Sequence, residues 1–173
     1  NEGLIEAPGG QVLLAAGRSV DLVDSALPNL AVRVSAPQGE VLNLGQVLAG
    51  SGRIDLSAAI VNQQGIVRAD SLGAGPGGQV QLLGSQGVNL GADSLTSASG
   101  ASGGQVLVDG GSGSALLAGR LAAVGGSGSG GGIQLLGRQV GLLDGSLVDA
   151  SGAAGGTVHI GGGLQGRDAS LRN

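Results

Sequence analysis

The chain contains no Phe, Tyr, Trp, Met or Cys. It also has no Lys; its eight basic residues are Arg18, Arg33, Arg53, Arg68, Arg120, Arg138, Arg167 and Arg172. With no rings or thioethers, a core must be assembled from Leu, Val, Ile and Ala. Such small side chains fill space only when many of them stack in register. With no cysteine there are no disulfides to mark a redox compartment. No apolar run approaches the roughly 20 residues of a membrane helix, so membrane insertion is not expected. A net charge of −4 disfavours nucleic acid, whose phosphates reward a basic stripe. No signal peptide is visible and the first residue is Asn1, so the sequence reads as a piece of something longer.

Glycine is what the chain has in excess: 39 of 173 residues, against roughly 7% in ordinary chains. The glycines lack a triplet period and only four prolines accompany them, which excludes collagen. Disorder fits poorly, because 41% of the residues are apolar and the net charge is small.

The glycines belong to a repeat. "GPGGQVQLL", "ASGGQVLV", "GSGGGIQLL" and "ASGAAGGTVHI" say the same thing. Aligned on Gly52, Gly78, Gly104, Gly131 and Gly156, the spacings are 26, 26, 27 and 25 residues. Two residues on come Ile54, Val80, Val106, Ile133 and Val158; four on come Leu56, Leu82, Val108, Leu135 and Ile160. Between them stand Asp55, Gln81, Leu107, Gln134 and His159. This alternation of period two marks a strand with one buried face. A second set of apolar runs lies at 58–61, 88–90, 115–117 and 140–143, and a third at 65–69, 93–98, 120–124 and 145–150. Ala69, Leu95 and Leu121 share an offset of seventeen from their glycines. Helix is disfavoured, since glycine costs about 1 kcal/mol at each helix-interior site.

A unit of this size cannot bury its apolar face alone, but stacked copies can. The pattern therefore predicts an all-β, three-faced parallel β-helix with rungs of about 26 residues and strands about 4.8 Å apart. The glycine pair is expected at a sharp corner with positive φ. The whole chain, 1–173, is expected to form one β-helix segment, with regular rungs over 52–173 and irregular ones over 1–51. There Asn43 falls at an inward position, and a loop is expected near Pro28 and Pro37.

"GLIEAPGGQVLLAAGRSVDLVD", "NLGQVLAGSGRIDLSAAIVNQQGIVRADS" and "SLVDASGAAGGTVHIGGGLQG" resemble the filamentous-haemagglutinin-like large exoproteins of Gram-negative bacteria. The resemblance covers essentially the whole chain. It implies a right-handed parallel β-helix shaft, a secreted or cell-surface location and a role in cell adhesion. It also implies two-partner secretion through an outer-membrane transporter. No amino-terminal secretion domain is seen, and the resemblance carries no catalytic residues.

Motifs for chemistry are weak. Gly100-Ala101-Ser102-Gly103-Gly104 matches the G-x-S-x-G nucleophile elbow, which needs a strand-to-helix turn and a histidine partner. Gly73–Gly78 matches G-x-G-x-x-G, but no helix follows to hold a pyrophosphate. "GGSGSGGG" at 125–132 lacks the lysine of a phosphate loop. His159, the one histidine, lies in an outward column and makes a poor metal site without Cys or clustered carboxylates. Asp109, Asp144 and Asp149 near corners are the candidates for weak calcium binding, with solvated turns as the plainer reading. Asp55, Asp70 and Asp93 fall, like them, at scattered offsets, which a glycosidic acid–base pair does not tolerate. Ice binding would want regular threonine columns, and Thr96 and Thr157 stand alone.

No residue is therefore put forward as catalytic, cofactor-binding or metal-binding. The expected function is structural, as a shaft segment that displays a distal binding region. The alternatives are a ligand-binding module through residues 24–50, contacting a host-cell or bacterial surface ligand, and, ranked lower, a β-helical carbohydrate-active enzyme. Uncapped rungs expose strand edges, so the isolated fragment is expected to associate end to end or, in its native setting, to be held by neighbouring chain.

Overall fold

A computed structural model describes residues 1–23 and 31–161. The strands fall into successive coils. The first runs through β1 (Leu4–Glu6), β2 (Gln11–Ala15), an inserted pair β3 (Gly17–Val23) and β4 (Ala31–Pro37), and β5 (Glu40–Asn43). The second holds β6 (Gln46–Leu48) and β7 (Arg53–Gln63), the third β8 (Ile66–Arg68) and β9 (Gln79–Leu90). The fourth holds β10 (Leu95–Ser97), β11 (Gln105–Asp109) and β12 (Ser114–Leu117). The fifth holds β13 (Arg120–Ala122), β14 (Gly132–Leu136) and β15 (Gln139–Leu142), and the last β16 (Leu147–Asp149) and β17 (Thr157–Ile160). No helix occurs among the described residues.

These strands build three faces. Face one stacks β2, the first half of β7, the first half of β9, β11, β14 and β17, all parallel. Face two stacks β5, the second halves of β7 and β9, β12 and β15. Face three stacks β1, β6, β8, β10, β13 and β16. The fold is the parallel β-helix that the periodicity predicts. On face one, Arg53, Gln79, Gln105, Gly132 and Thr157 are successive partners, so coil spacing reproduces the spacing of the glycines. Strands on both sides of residue 51 share the same sheets. What departs from the coil is the antiparallel pair β3–β4, which leaves and re-enters it between β2 and β5. Pro37 ends β4; Pro28 lies outside the described residues.

The interior is a set of aliphatic columns. On face one, Ile54, Val80, Val106 and Ile133 are partners and buried, as are Leu56, Leu82, Val108 and Leu135. Val61, Val88 and Ala115 line face two; Val47, Val67 and Leu121 line face three. Each buried Val, Leu or Ile contributes about 1.5–3 kcal/mol. One face-two column begins polar. Asn1 Nδ2 donates to Asn43 Oδ1 at 2.8 Å, and Asn43 Nδ2 to Gln63 Oε1 at 2.7 Å. Gln63 Nε2 then turns onto the carbonyls of Gly65 and Leu95 at 2.9 and 3.3 Å. Above Gln63 the column continues as Leu90 and Leu117. Asn43 is thus inward, fully buried and satisfied.

The corner between faces three and one follows one rule in every coil. An alanine closes face three and a glycine opens face one: Ala7 and Gly10, Ala49 and Gly52, Ala69 and Gly78, Ala98 and Gly104, Ala123 and Gly131, Ala150 and Gly156. In each, the glycine N–H donates to the alanine carbonyl at 2.7–2.9 Å. The loops between are two, two, eight, five, seven and five residues long. Ala69, Leu95 and Leu121, each seventeen residues after its glycine, do not share a column. Ala69 is the corner alanine of its coil, Leu95 pairs with Ile66 and Arg120, and Leu121 pairs with Thr96. The path from the glycine to face three differs in length: β9 holds one residue more than β7 between faces one and two, and two more separate Leu90 from Leu95 than separate Gln63 from Ile66.

The expected positive φ at the glycine pair is also corrected. None of Gly52, Gly78, Gly104, Gly131 or Gly156 has it; in the two short corners the left-handed residues are Gly9 (φ 67°) and Ser51 (φ 59°). The pair is glycine because of close approach. A β-carbon on Gly78 would overlap the carbonyl oxygen of Gly52 in the coil before, and one on Gly77 would overlap that of Ala98 in the coil after. Gly104 and Gly103, and Gly131 and Gly130, are squeezed in the same way. Replacing Gly78 by Ala is expected to lower the unfolding free energy by about 3 kcal/mol. Gly73→Ala, in an open part of the same loop, is expected to change it by less than about 0.5 kcal/mol; urea denaturation measures both. Thr96 sits fully buried with its hydroxyl unpartnered. Thr96→Val is therefore expected to raise the unfolding free energy by about 1 kcal/mol in the same assay.

Candidate functional site

The longer corner loops stack on one another as a ledge along the edge of the coil. Pro76 bridges to Ser102, Gly100 to Gly125, and Ser129 to Ala154, all parallel. The Gly77 N–H donates to Ser102 O at 2.8 Å, Gly103 to Ser129 O at 2.9 Å and Gly130 to Ala154 O at 2.7 Å. All three glycine motifs singled out from the sequence lie in this ledge. Gly73–Gly78 and 125–132 are corner loops that lead into strands, so neither ends at a helix N-terminus. Ser102 sits in the loop that enters β11, not on a strand-to-helix turn. His159 is on β17, paired with Gln134 in the outward column of face one.

Beside the ledge, a groove follows the corner along the coil axis. Its floor is the glycine column and its wall the outward residues of face one. One recess of about 290 Å³ is lined by Gln105, Gly131, Gln134, Thr157 and His159. Another of about 410 Å³ is lined by Gln11, Gly52, Arg53, Gly78 and Gln79. Arg53 is engaged on three sides: Nε with Asp55 Oδ2 at 2.6 Å, Nη1 with Gln79 Oε1 at 2.9 Å and Nη2 with Gln81 Oε1 at 3.1 Å. The groove therefore offers amides, a hydroxyl and an imidazole. The Arg53 network was not foreseen from sequence, although the 26-residue repeat places Gln79 directly above Arg53.

The acidic residues are dispersed by the coil. Asp55 is on face one and Asp149 on face three, while Asp109 ends a face-one strand. Asp70 and Asp144 lie in corners. Each described carboxylate with a partner serves its own neighbourhood. Asp109 Oδ1 accepts the Gly111 N–H at 2.8 Å. Asp70 accepts from the Ser97 hydroxyl at 2.5 Å and the Ser99 N–H at 2.6 Å, with Arg68 at 3.5 Å. Among the described residues no three His, Asp or Glu gather as a metal site would require, so Asp109, Asp144 and Asp149 do not meet.

Asp149 is held below the ordinary carboxylate range. The Ser151 hydroxyl and its N–H, the latter at 3.0 Å, favour the ionised form, and Arg120 at 3.4 Å adds to them. A lowered folded-state pKa means stability that is present above the unfolded-state value and lost as pH falls through the folded one. Carboxyl NMR titration is expected to place the Asp149 midpoint below that of an unstructured aspartate. Ser151→Ala is expected to move it upward.

Comparison with known proteins finds no match to a family model, a curated protein or a solved structure.

Proposed function

We propose that this chain is a segment of the elongated β-helical shaft of a secreted or cell-surface bacterial adhesin, exported by two-partner secretion. The observation that carries this reading is the uninterrupted stack. Every described coil continues the inward columns of the one before it. Stacked at about 4.8 Å per coil, such a unit lengthens by repetition and holds whatever lies at its far end away from its base. The resemblance of the sequence to filamentous-haemagglutinin-like exoproteins supports the same role.

One observation favours a second reading, a ligand-binding module. The pair β3–β4 departs from the coil within 17–37, overlapping residues 24–50, where a binding region was expected. Its base is closed by pairing: the Gln38 N–H donates to Ala16 O at 3.3 Å and Gly17 pairs with Pro37. Residues 18–36 can thus be exchanged for a two-glycine turn. As a shaft, the shortened protein is expected to support undiminished adhesion of bacteria displaying it to host cells. Loss of adhesion with surface display intact would transfer the function to the inserted pair.

A further inference from the structure

The sequence holds two Asp–Gly steps, Asp109-Gly110 and Asp144-Gly145, and no Asn–Gly. At such a step the glycine nitrogen is unhindered, and a bond from it to the aspartate side-chain carbon closes a succinimide ring. The fold treats the two steps differently.

Gly110 is buried, and its N–H donates to Leu136 O at 2.8 Å. The Asp109 carboxylate is tied as well, since its Oδ1 accepts the Gly111 N–H at 2.8 Å. A β-carbon on Gly110 would overlap Ser114 O, so the surroundings are crowded. Asp144 and Gly145 are both exposed, at the corner between faces two and three. The Gly145 N–H has no backbone partner among the described residues. A β-carbon on Gly145 would meet nothing within 4 Å, and its φ of 82° is left-handed, which glycine adopts without strain.

The open N–H belongs to this type of corner and not to the end of the stack. Gly91–Ser94 is built in the same way. There the Ser94 N–H donates to Gly91 O at 3.0 Å, as the Ser146 N–H does to Leu143 O at 3.0 Å. Ala92 and Asp93 are the counterparts of Asp144 and Gly145. They too are exposed, with N–H groups unpartnered among the described residues, although another coil follows them. Asp70 and Asp93 each precede a bonded N–H, Ser71 to Ser99 O and Ser94 to Gly91 O.

We propose that Asp144 is a site of spontaneous isoaspartate formation, and that the fold protects Asp109 from the same reaction. The Gly145 nitrogen bonds to Asp144 Cγ, and the carboxyl hydroxyl leaves as water with the amide proton. Water then adds to the succinimide. Attack at Cγ restores aspartate. Attack at the main-chain carbonyl of Asp144 breaks its bond to the Gly145 nitrogen and leaves the chain running through Cγ. One water is lost and one regained, and no other reactant is needed. The product has an extra backbone carbon ahead of Ser146 and a free α-carboxylate. This inference does not depend on the shaft reading.

Trypsin places the two steps in different peptides, 139–167 and 69–120. The full chain is incubated at mildly acidic pH, digested at intervals, and read by electron-transfer fragmentation, which separates isoaspartate from aspartate of equal mass. In the folded chain, isoaspartate at Asp144 is expected to exceed that at Asp109 by at least about tenfold, the protection given by a buried, closed hydrogen bond. In urea the two rates are expected to converge. Asp144→Glu, which would have to close a larger ring, is expected to abolish the signal from 139–167 with an unchanged far-ultraviolet spectrum. No isoaspartate in the folded chain, equal rates at the two sites there, an excess at Asp144 that persists in urea, or a signal that survives Asp144→Glu would each overturn the proposal.

Discussion

The interaction on which the rest depends is the hydrogen bond from the corner glycine N–H to the carbonyl of the alanine that closes face three. It recurs in all six described corners at nearly one length. It returns the chain to the start of face one at the same place in each turn, whatever the loop does in between. Register on face one follows, and with it the superposition of every inward column. From Gly52 onward the glycine cannot carry a side chain, because the corner glycine of the coil before lies against it. The alanine ends face three facing the interior, where Ala49, Ala69, Ala98 and Ala123 are all fully buried.

With the turns held in place, a core without aromatics becomes workable. The space enclosed by three sheets is narrow, and branched aliphatic side chains fill it by stacking on their own kind. No large ring is needed. The polar start of one column obeys the same constraint. Asn43 and Gln63 stack as an amide ladder and end on backbone carbonyls, so the interior accepts them without an orphaned group. Thr96 has no such ladder above or below it, because its partners are Val67 and Leu121.

Much of this was legible in the sequence, and the parts that were not share a cause. The V-x-L alternation after each glycine named face one residue by residue, since a two-residue period admits one register. The runs on faces two and three were located, but their alignment was not. Ala69, Leu95 and Leu121 share an offset from their glycines but no column, because the bulge in β9 and the longer corner after Leu90 change the path between faces. Counting backward from each glycine to the nearest alanine that ends an apolar run would have found the corner pairs. The glycine conformation was misread because left-handed backbone and close packing both select glycine, and sequence alone does not separate them. The motifs for chemistry were legible as weak. Ser102, His159 and the aspartates carry no shared spacing, and the coil distributes them over different faces and corners. The Arg53 cluster was missed because partners one coil apart are 26 and 28 residues apart in sequence.

The variable corner has a consequence for how such a gene can drift. Loops of two to eight residues hang from the same closing bond, with the strands on either side in unchanged register. The closing bond fixes where face one begins, so corner loops of different length leave the register of the flanking strands the same. A codon gained or lost in the ledge leaves the hydrophobic interior untouched, whereas one gained within a strand turns each following side chain to the wrong side. Length variation is thus confined to the part of each turn that lies outside the aliphatic interior.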